Sequence, residues 1–148
     1  MVTASGRDFS ELGAVLEKGQ TVAEREYVLT RDSLVRYAGA SGDFNPIHYR
    51  DDVAQAAGLD GVLAHGMLTM GAATAVIADW VGSDGLVVDV QARFTRPVVV
   101  DPQTGATVTV TAVVHSVDEE TRSATFNLNT VYGEKTVLAK AQAVVRFN

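Results

Sequence analysis

Asp43 and His48 stand five positions apart in the run Tyr-Ala-Gly-Ala-Ser-Gly-Asp-Phe-Asn-Pro-Ile-His, residues 37–48. A carboxylate beside an imidazole is one way to move protons near neutral pH. Pro46 has no N–H and biases Asn45 toward extended geometry, so a regular helix or strand is interrupted between the two. The pair is therefore expected on a tight loop that brings both side chains to one point. By residue type alone a plain helix linker explains them equally well, with Asp43 capping backbone N–H groups and His48 incidental. A second candidate is His65-Gly66, which opens the most apolar run of the chain. A helix N-terminus offers unpaired N–H groups and partial positive charge, and a glycine there lets an oxyanion approach closely. Close helix packing would explain the same glycine.

These residues need elements to hold them. Residues 21–29 alternate only in part and are read as a short strand. Thr30 is a helix N-cap, with Asp32 in the first turn, where the dipole favours negative charge. Leu34, Val35, Tyr37 and Ala38 then give one apolar face through about Ala40, and Gly39 and Gly42 close the helix. Residues 51–57 read as a short helix stopped by Gly58, and 59–64 as a connector. From His65 to about Val81 the apolar residues go all round a helical wheel, which predicts a helix buried on most sides. That run falls short of the roughly 20 residues of a membrane span, and Thr69, Thr74 and Asp79 interrupt it.

Residues 86–95 alternate, putting Val88, Val90, Ala92 and Phe94 on one side. Residues 105–117, 122–132 and 136–147 are rich in Val and Thr, with turns at 118–120 and 133–135. Two hairpins after a buried helix predict an α+β fold with an antiparallel sheet rather than a βαβ unit. At the other end Phe9, Leu12 and Leu16 are expected to pack as an arm, the first few residues being loose.

Composition narrows the function classes. A length of 148 residues fits one domain, 1–148, and an apolar fraction of 47% fits a compact one. The chain has no cysteine, which excludes disulfides, thiol nucleophiles and Cys-based metal sites. A net charge of −6 argues against a general nucleic-acid or anionic-membrane binder. It says less about a phosphate-bearing carrier, which a few local cations could hold. Arg93, Arg96, Lys135 and Lys140 are available, but such charges on exposed strands are usually solvated, and no site is assigned to them. Residues 1–17 do not read as a signal peptide, so a cytoplasmic location is expected. His48 and His65 are too far apart for a helical His-x-x-x-His pair and His115 falls on a predicted strand, so no metal site is expected. Gly-x-Ser-x-Gly, phosphate-loop and Gly-x-Gly-x-x-Gly motifs do not occur.

The run Gly42-Asp43-Phe44-Asn45-Pro46-Ile47-His48 matches in full the signature Gly-Asp-x-Asn-Pro-hydrophobic-His. It thereby resembles the hydratase-2, or MaoC-like, branch of the hot-dog superfamily. Residues 45–48 and Ala64-His65-Gly66-Met67-Leu68-Thr69-Met70-Gly71 are also similar to the catalytic B subunits of mycobacterial (3R)-hydroxyacyl-carrier-protein dehydratases. That likeness runs from about Val22 onward and is weakest at the termini.

The resemblance implies a single hot-dog domain, an antiparallel sheet wrapped around a central buried helix. It implies an (R)-specific enoyl-thioester hydratase, or the reverse (3R)-hydroxyacyl-thioester dehydratase, of fatty-acid metabolism. The substrate would be an acyl-CoA or acyl carrier protein, with no metal or redox cofactor. Catalysis falls on Asp43 and His48, with the Gly66 N–H as oxyanion donor; which of the pair activates water stays open. Asn45 would orient the loop and His65 would be structural. Thr74 falls where related hydratases often carry a serine near the catalytic acid, a support position. A dimer is expected, with a second copy or with a related non-catalytic subunit. Two alternatives remain, a hot-dog thioesterase and a non-catalytic acyl-binding subunit.

Overall fold

The structure, a computed structural model, describes residues 9–148, except for the side chains at positions 12–14. The expected loose first residues and the packing of Leu12 lie outside what is described. In chain order come α1 (Phe9–Val15), β1 (Thr21–Leu29), α2 (Arg31–Ser41), a 3₁₀ turn (Pro46–His48), α3 (Asp51–Ala56), α4 (Gly66–Val81), β2 (Gly85–Phe94), β3 (Ala106–Asp118), β4 (Ser123–Tyr132) and β5 (Lys135–Phe147).

The five strands form one antiparallel sheet in the order β1-β3-β4-β5-β2, and α4 packs against all five. The β3–β4 and β4–β5 hairpins supply the sheet's middle by period-2 patterning: Ala106, Val108, Val110, Ala112 and Val114 point inward from β3, and Ala124, Phe126 and Leu128 from β4. Between β4 and β5 the two turn residues Gly133 and Glu134 both have positive φ, the geometry that matches strand twist in a tight hairpin. Against these faces α4 buries Thr69, Ala73, Val76, Ile77 and Val81. This is the sheet wrapped on one helix that the hot-dog resemblance implies.

Three expectations need correction. The apolar residues of α4 do go all round, yet the helix keeps an exposed stripe through Met67, Gly71 and Ala78, because the sheet covers only one side of it. The expected shared face of residues 86–95 holds for Val90, Ala92 and Phe94 but not for Val88. The register shift at Val87/Asp89 turns Val88 outward, leaving it 45% exposed, whereas Phe94 pairs with the buried Leu138 and stays on the helix side of the sheet. In α2 only Leu34 and Ala38 are buried and Val35 faces solvent. Gly39 lies within the helix, and Gly42 alone, at φ 76°, ends it.

At the other end of α2, Thr30 and Ser33 form a capping box, each side chain accepting the other's backbone N–H. Phe9 and Leu16 are buried, and the Phe9 ring lies 5.3 Å from that of Phe147. Among the described residues no helix is long and apolar enough to cross a membrane.

Candidate active site

The loop after α2 is built from side chains that substitute for missing backbone partners. Ser41 Oγ accepts the Asp43 N–H, Asp43 Oδ1 accepts that of Asn45 and Asn45 Oδ1 accepts that of Ile47, at 3.1–3.2 Å. Alternate polar residues thus each hold the N–H two positions on, which is why Ser, Asp and Asn recur there. Pro46, whose nitrogen has no hydrogen to satisfy, opens the 3₁₀ turn that carries His48. The loop docks on the connector before α4. Leu63 N–H donates to the Ile47 carbonyl at 3.1 Å, and His48 Nδ1–H donates to the Leu63 carbonyl at 2.8 Å. Flanking residues hold that connector as a short ladder: Ala64 N–H donates to Val98 and Val100 N–H to Val62.

A carbonyl only accepts, so the Leu63 contact puts the proton of a neutral His48 on Nδ1 and leaves a basic lone pair on Nε2. That Nε2 lies 3.9 Å from Asp43 Oδ2. The gap is too long for a direct hydrogen bond. It is short enough for one water at the usual ~2.8 Å from each atom to touch both. His48 has a side chain 10% exposed, whereas Asp43 is half exposed.

His65 is buried behind the pair. Its Nε2–H donates to the Asp43 carbonyl at 3.1 Å, and its ring stacks on that of His48 with centroids 3.8 Å apart and planes at 22°. Tyr37 packs on His65 from another side, at 4.8 Å. Burial holds the His65 pKa below the usual histidine value, which favours the neutral imidazole, and among the described residues its buried Nδ1 has no partner.

Asp43, His48 and His65 each bring a ligand-type atom within 4.8 Å of the others, so they are the one trio to test for a metal among the described residues. Their arrangement does not suit one. A cation binds imidazole in the ring plane along the nitrogen lone pair, and two nearly parallel stacked rings aim those lone pairs side by side rather than at a common point. His115 is elsewhere, on the sheet, 3.5 Å from Asn127.

His65 is the N-cap residue of α4, so Gly66 is the first residue of the helix. Among the described residues nothing accepts the Gly66 N–H, while the next turn is satisfied by the Leu68 and Thr69 N–H groups donating to the His65 carbonyl. Gly66 lines a cleft of about 350 Å³ together with His48, Thr69, Phe94, Arg96 and Leu138. A Cβ at Gly66 would come within 3.0 Å of the Phe94 ring, so glycine keeps this wall open. Asp43 is not itself a wall of the cleft; it meets the cleft across its gap to His48 Nε2.

The structure therefore brings together Asp43, His48, Asn45, His65 and Gly66. Thr74 stands apart: it does not line the cleft, and its hydroxyl donates to the Met70 carbonyl at 2.9 Å within α4. Sequence reasoning missed Thr69, which is buried one turn after Gly66 and has no protein partner for its hydroxyl among the described residues. Its spacing of three from Gly66 was the available signal. Phe94 and Arg96 reach the cleft from the far end of β2 and just beyond it, where no local pattern reports on α4.

An antiparallel sheet wrapped on one helix defines the hot-dog class of folds. Within that class the chain belongs to the MaoC-like family: the family model described as "MaoC like domain" matches residues 14–133. The chain is 31% identical over 132 residues to the (R)-specific enoyl-CoA hydratase of Rhodospirillum rubrum, covering 88% of each. A solved structure titled "MaoC-like dehydratase" aligns with a TM-score of 0.84 at 32% identity over 91% of this chain; the chain spans only 42% of that protein. One subunit in the (3R)-hydroxyacyl-ACP dehydratase complex HadBC of Mycobacterium tuberculosis aligns at 0.66 and 18% identity, over 86% of this chain and 95% of that one, a likeness of fold.

Proposed function

We propose that the protein is an (R)-specific enoyl-thioester hydratase, equally a (3R)-hydroxyacyl-thioester dehydratase in reverse, with Asp43 and His48 as its catalytic residues. One observation carries the reading. His48 presents its basic Nε2 to Asp43 across a gap one water can fill, on the wall of the cleft that Gly66 also lines, its N–H accepted by nothing among the described residues. With an enoyl thioester bound, His48 Nε2 takes a proton from the water while its oxygen bonds to C3. Asp43 orients that water through its other hydrogen and favours the imidazolium being formed. The electron pair of the C2=C3 bond moves onto the thioester oxygen, which the Gly66 N–H and the α4 dipole stabilise. The imidazolium then returns its proton to C2 on the same face, leaving a syn adduct and neutral His48. The R sense rests on the likeness to the (R)-specific relative. Asn45 shapes the loop, His65 holds the Asp43 main chain and the face of His48, and Thr74 acts only through α4.

The test follows loss of enoyl-thioester absorbance. Asp43→Asn and His48→Ala should each lower kcat/KM by at least about 10³-fold, with circular dichroism unchanged. Release of free thiol in place of hydration would identify a thioesterase. Acyl-CoA binding without turnover, unaffected by either substitution, would identify a non-catalytic acyl-binding subunit.

The same reading takes the active form to be a dimer, with a second copy or a related hot-dog subunit. The edge strand β2 supports it, since Leu86 and Val88 lie exposed on an edge whose backbone has no further strand to pair with among the described residues.

A further inference from the structure

The cleft beside His48 does not end at its own walls. Arg96, Pro97 and Val137 also border a second depression of about 450 Å³ that continues to Tyr132, Lys135 and Asp60. Leu138 on β5 faces the cleft and Lys135 lies three residues back along the strand, about 10 Å away at ordinary strand rise. Arg96 is tethered, one Nη1–H donating to the Thr136 carbonyl at 2.8 Å, so part of its guanidinium fork remains for a ligand. Among the described residues neither Arg96 nor Lys135 has a carboxylate within ion-pair distance, whereas Arg25, Arg31, Arg36 and Arg50 all do. Asp60 shares the rim, and Glu134 precedes Lys135 in the turn without bordering the depression. Even with Asp60 counted, the walls are net positive on a chain of net charge −6.

We propose that this second depression holds a phosphate carried at the far end of the substrate's pantetheine arm, with Arg96 and Lys135 as its cationic contacts. The proposal rests on the hydratase reading, in which the acyl thioester lies between His48 and Gly66. The arm then leaves past the shared wall of Arg96, Pro97 and Val137. Coenzyme A and a phosphopantetheinylated carrier protein both present a phosphate there, and the experiment separates them.

Binding of free CoA and of pantetheine, which lacks phosphate, is measured by calorimetry for the wild type and for Arg96→Ala/Lys135→Ala. Specificity constants for crotonyl-CoA and crotonyl-pantetheine are measured in parallel. The wild type should prefer the phosphorylated member of each pair, and the double substitution should shrink that preference by about tenfold. Lys135→Glu should shrink it as well, and rising salt should erode it in the wild type. If the variants lose equally on a carrier-protein substrate, the pantetheine phosphate itself is bound; loss on CoA alone assigns the nucleotide phosphates. A preference that is absent in the wild type, or untouched by the double substitution, overturns the proposal. Phosphate-dependent binding with no hydration would leave this site standing and remove the hydratase reading. Hydration with an unmoved preference would do the reverse.

Discussion

At the scale of single residues, His65 carries a consequence for pH. Burial is the largest cause of its depressed pKa; the adjacent His48 also lowers it, while the Asp43 contacts work against both. The unfolded chain takes up a proton near the usual value of 6.5 and the folded chain resists it. The unfolded state therefore binds more protons between those two pKa values, and stability falls as pH drops through that window. Above about pH 6.5 the contribution is complete. Urea midpoints should decline from pH 7 toward pH 5 in the wild type and decline less in His65→Gln. Gln keeps a donor for the Asp43 carbonyl but has no ring to charge. Equal slopes for the two proteins would remove His65 as the source. The sequence named His65 as support, but not its stacking on His48, because the rings meet only when the loop docks on the 62–64 connector.

Single glycines act at the scale of elements by what surrounds them. Gly58 and Gly105 both have strongly positive φ, but a Cβ at Gly58 meets open space, whereas one at Gly105 would lie 2.6 Å from the Leu29 carbonyl oxygen. Gly58→Ala should cost about 1–2 kcal/mol, the ordinary left-handed penalty. Gly105→Ala should cost more, at least about 3 kcal/mol, because the β1–β3 pairing must also part. Denaturant titration of the two variants compares them directly, and equal losses would contradict the close approach. The Gly58 stop was legible because a short helix ends there. The Gly105 contact was not, since it depends on β1 lying alongside β3. The same limit explains β2. Period-2 alternation was visible in residues 86–95, yet the register shift at Val87/Asp89 is set by pairing with β5 and reverses the facing of Val88.

For the molecule as a whole, the question is what covers the β2 edge and the exposed stripe of α4. Leu86 on that edge is 63% exposed and Met67 on that stripe 57% exposed. Light scattering after size exclusion should give the mass of two chains at micromolar concentration. Leu86→Lys/Val88→Lys should reduce it to one chain by placing like charges across the edge. A wild-type monomer active at that concentration would end the dimer proposal. Phe94, at the end of the same strand, also walls the cleft, so loss of association should lower activity along with mass.

The chemical inventory and the elements were determined by the sequence. The run from Ser41 to His48 specifies its own loop, since Ser41, Asp43 and Asn45 each hold the N–H two residues on and Pro46 opens the turn, and hydrophobic periods of 3.6 and 2 report directly on helix and strand. Tertiary structure alone decided the proton on His48, through a carbonyl fifteen residues away. It also decided the 3.9 Å gap to Asp43 and the convergence of Thr69, Phe94 and Arg96 on one cleft. Those depend on where separate segments come to rest against one another, and local pattern carries no record of that distance.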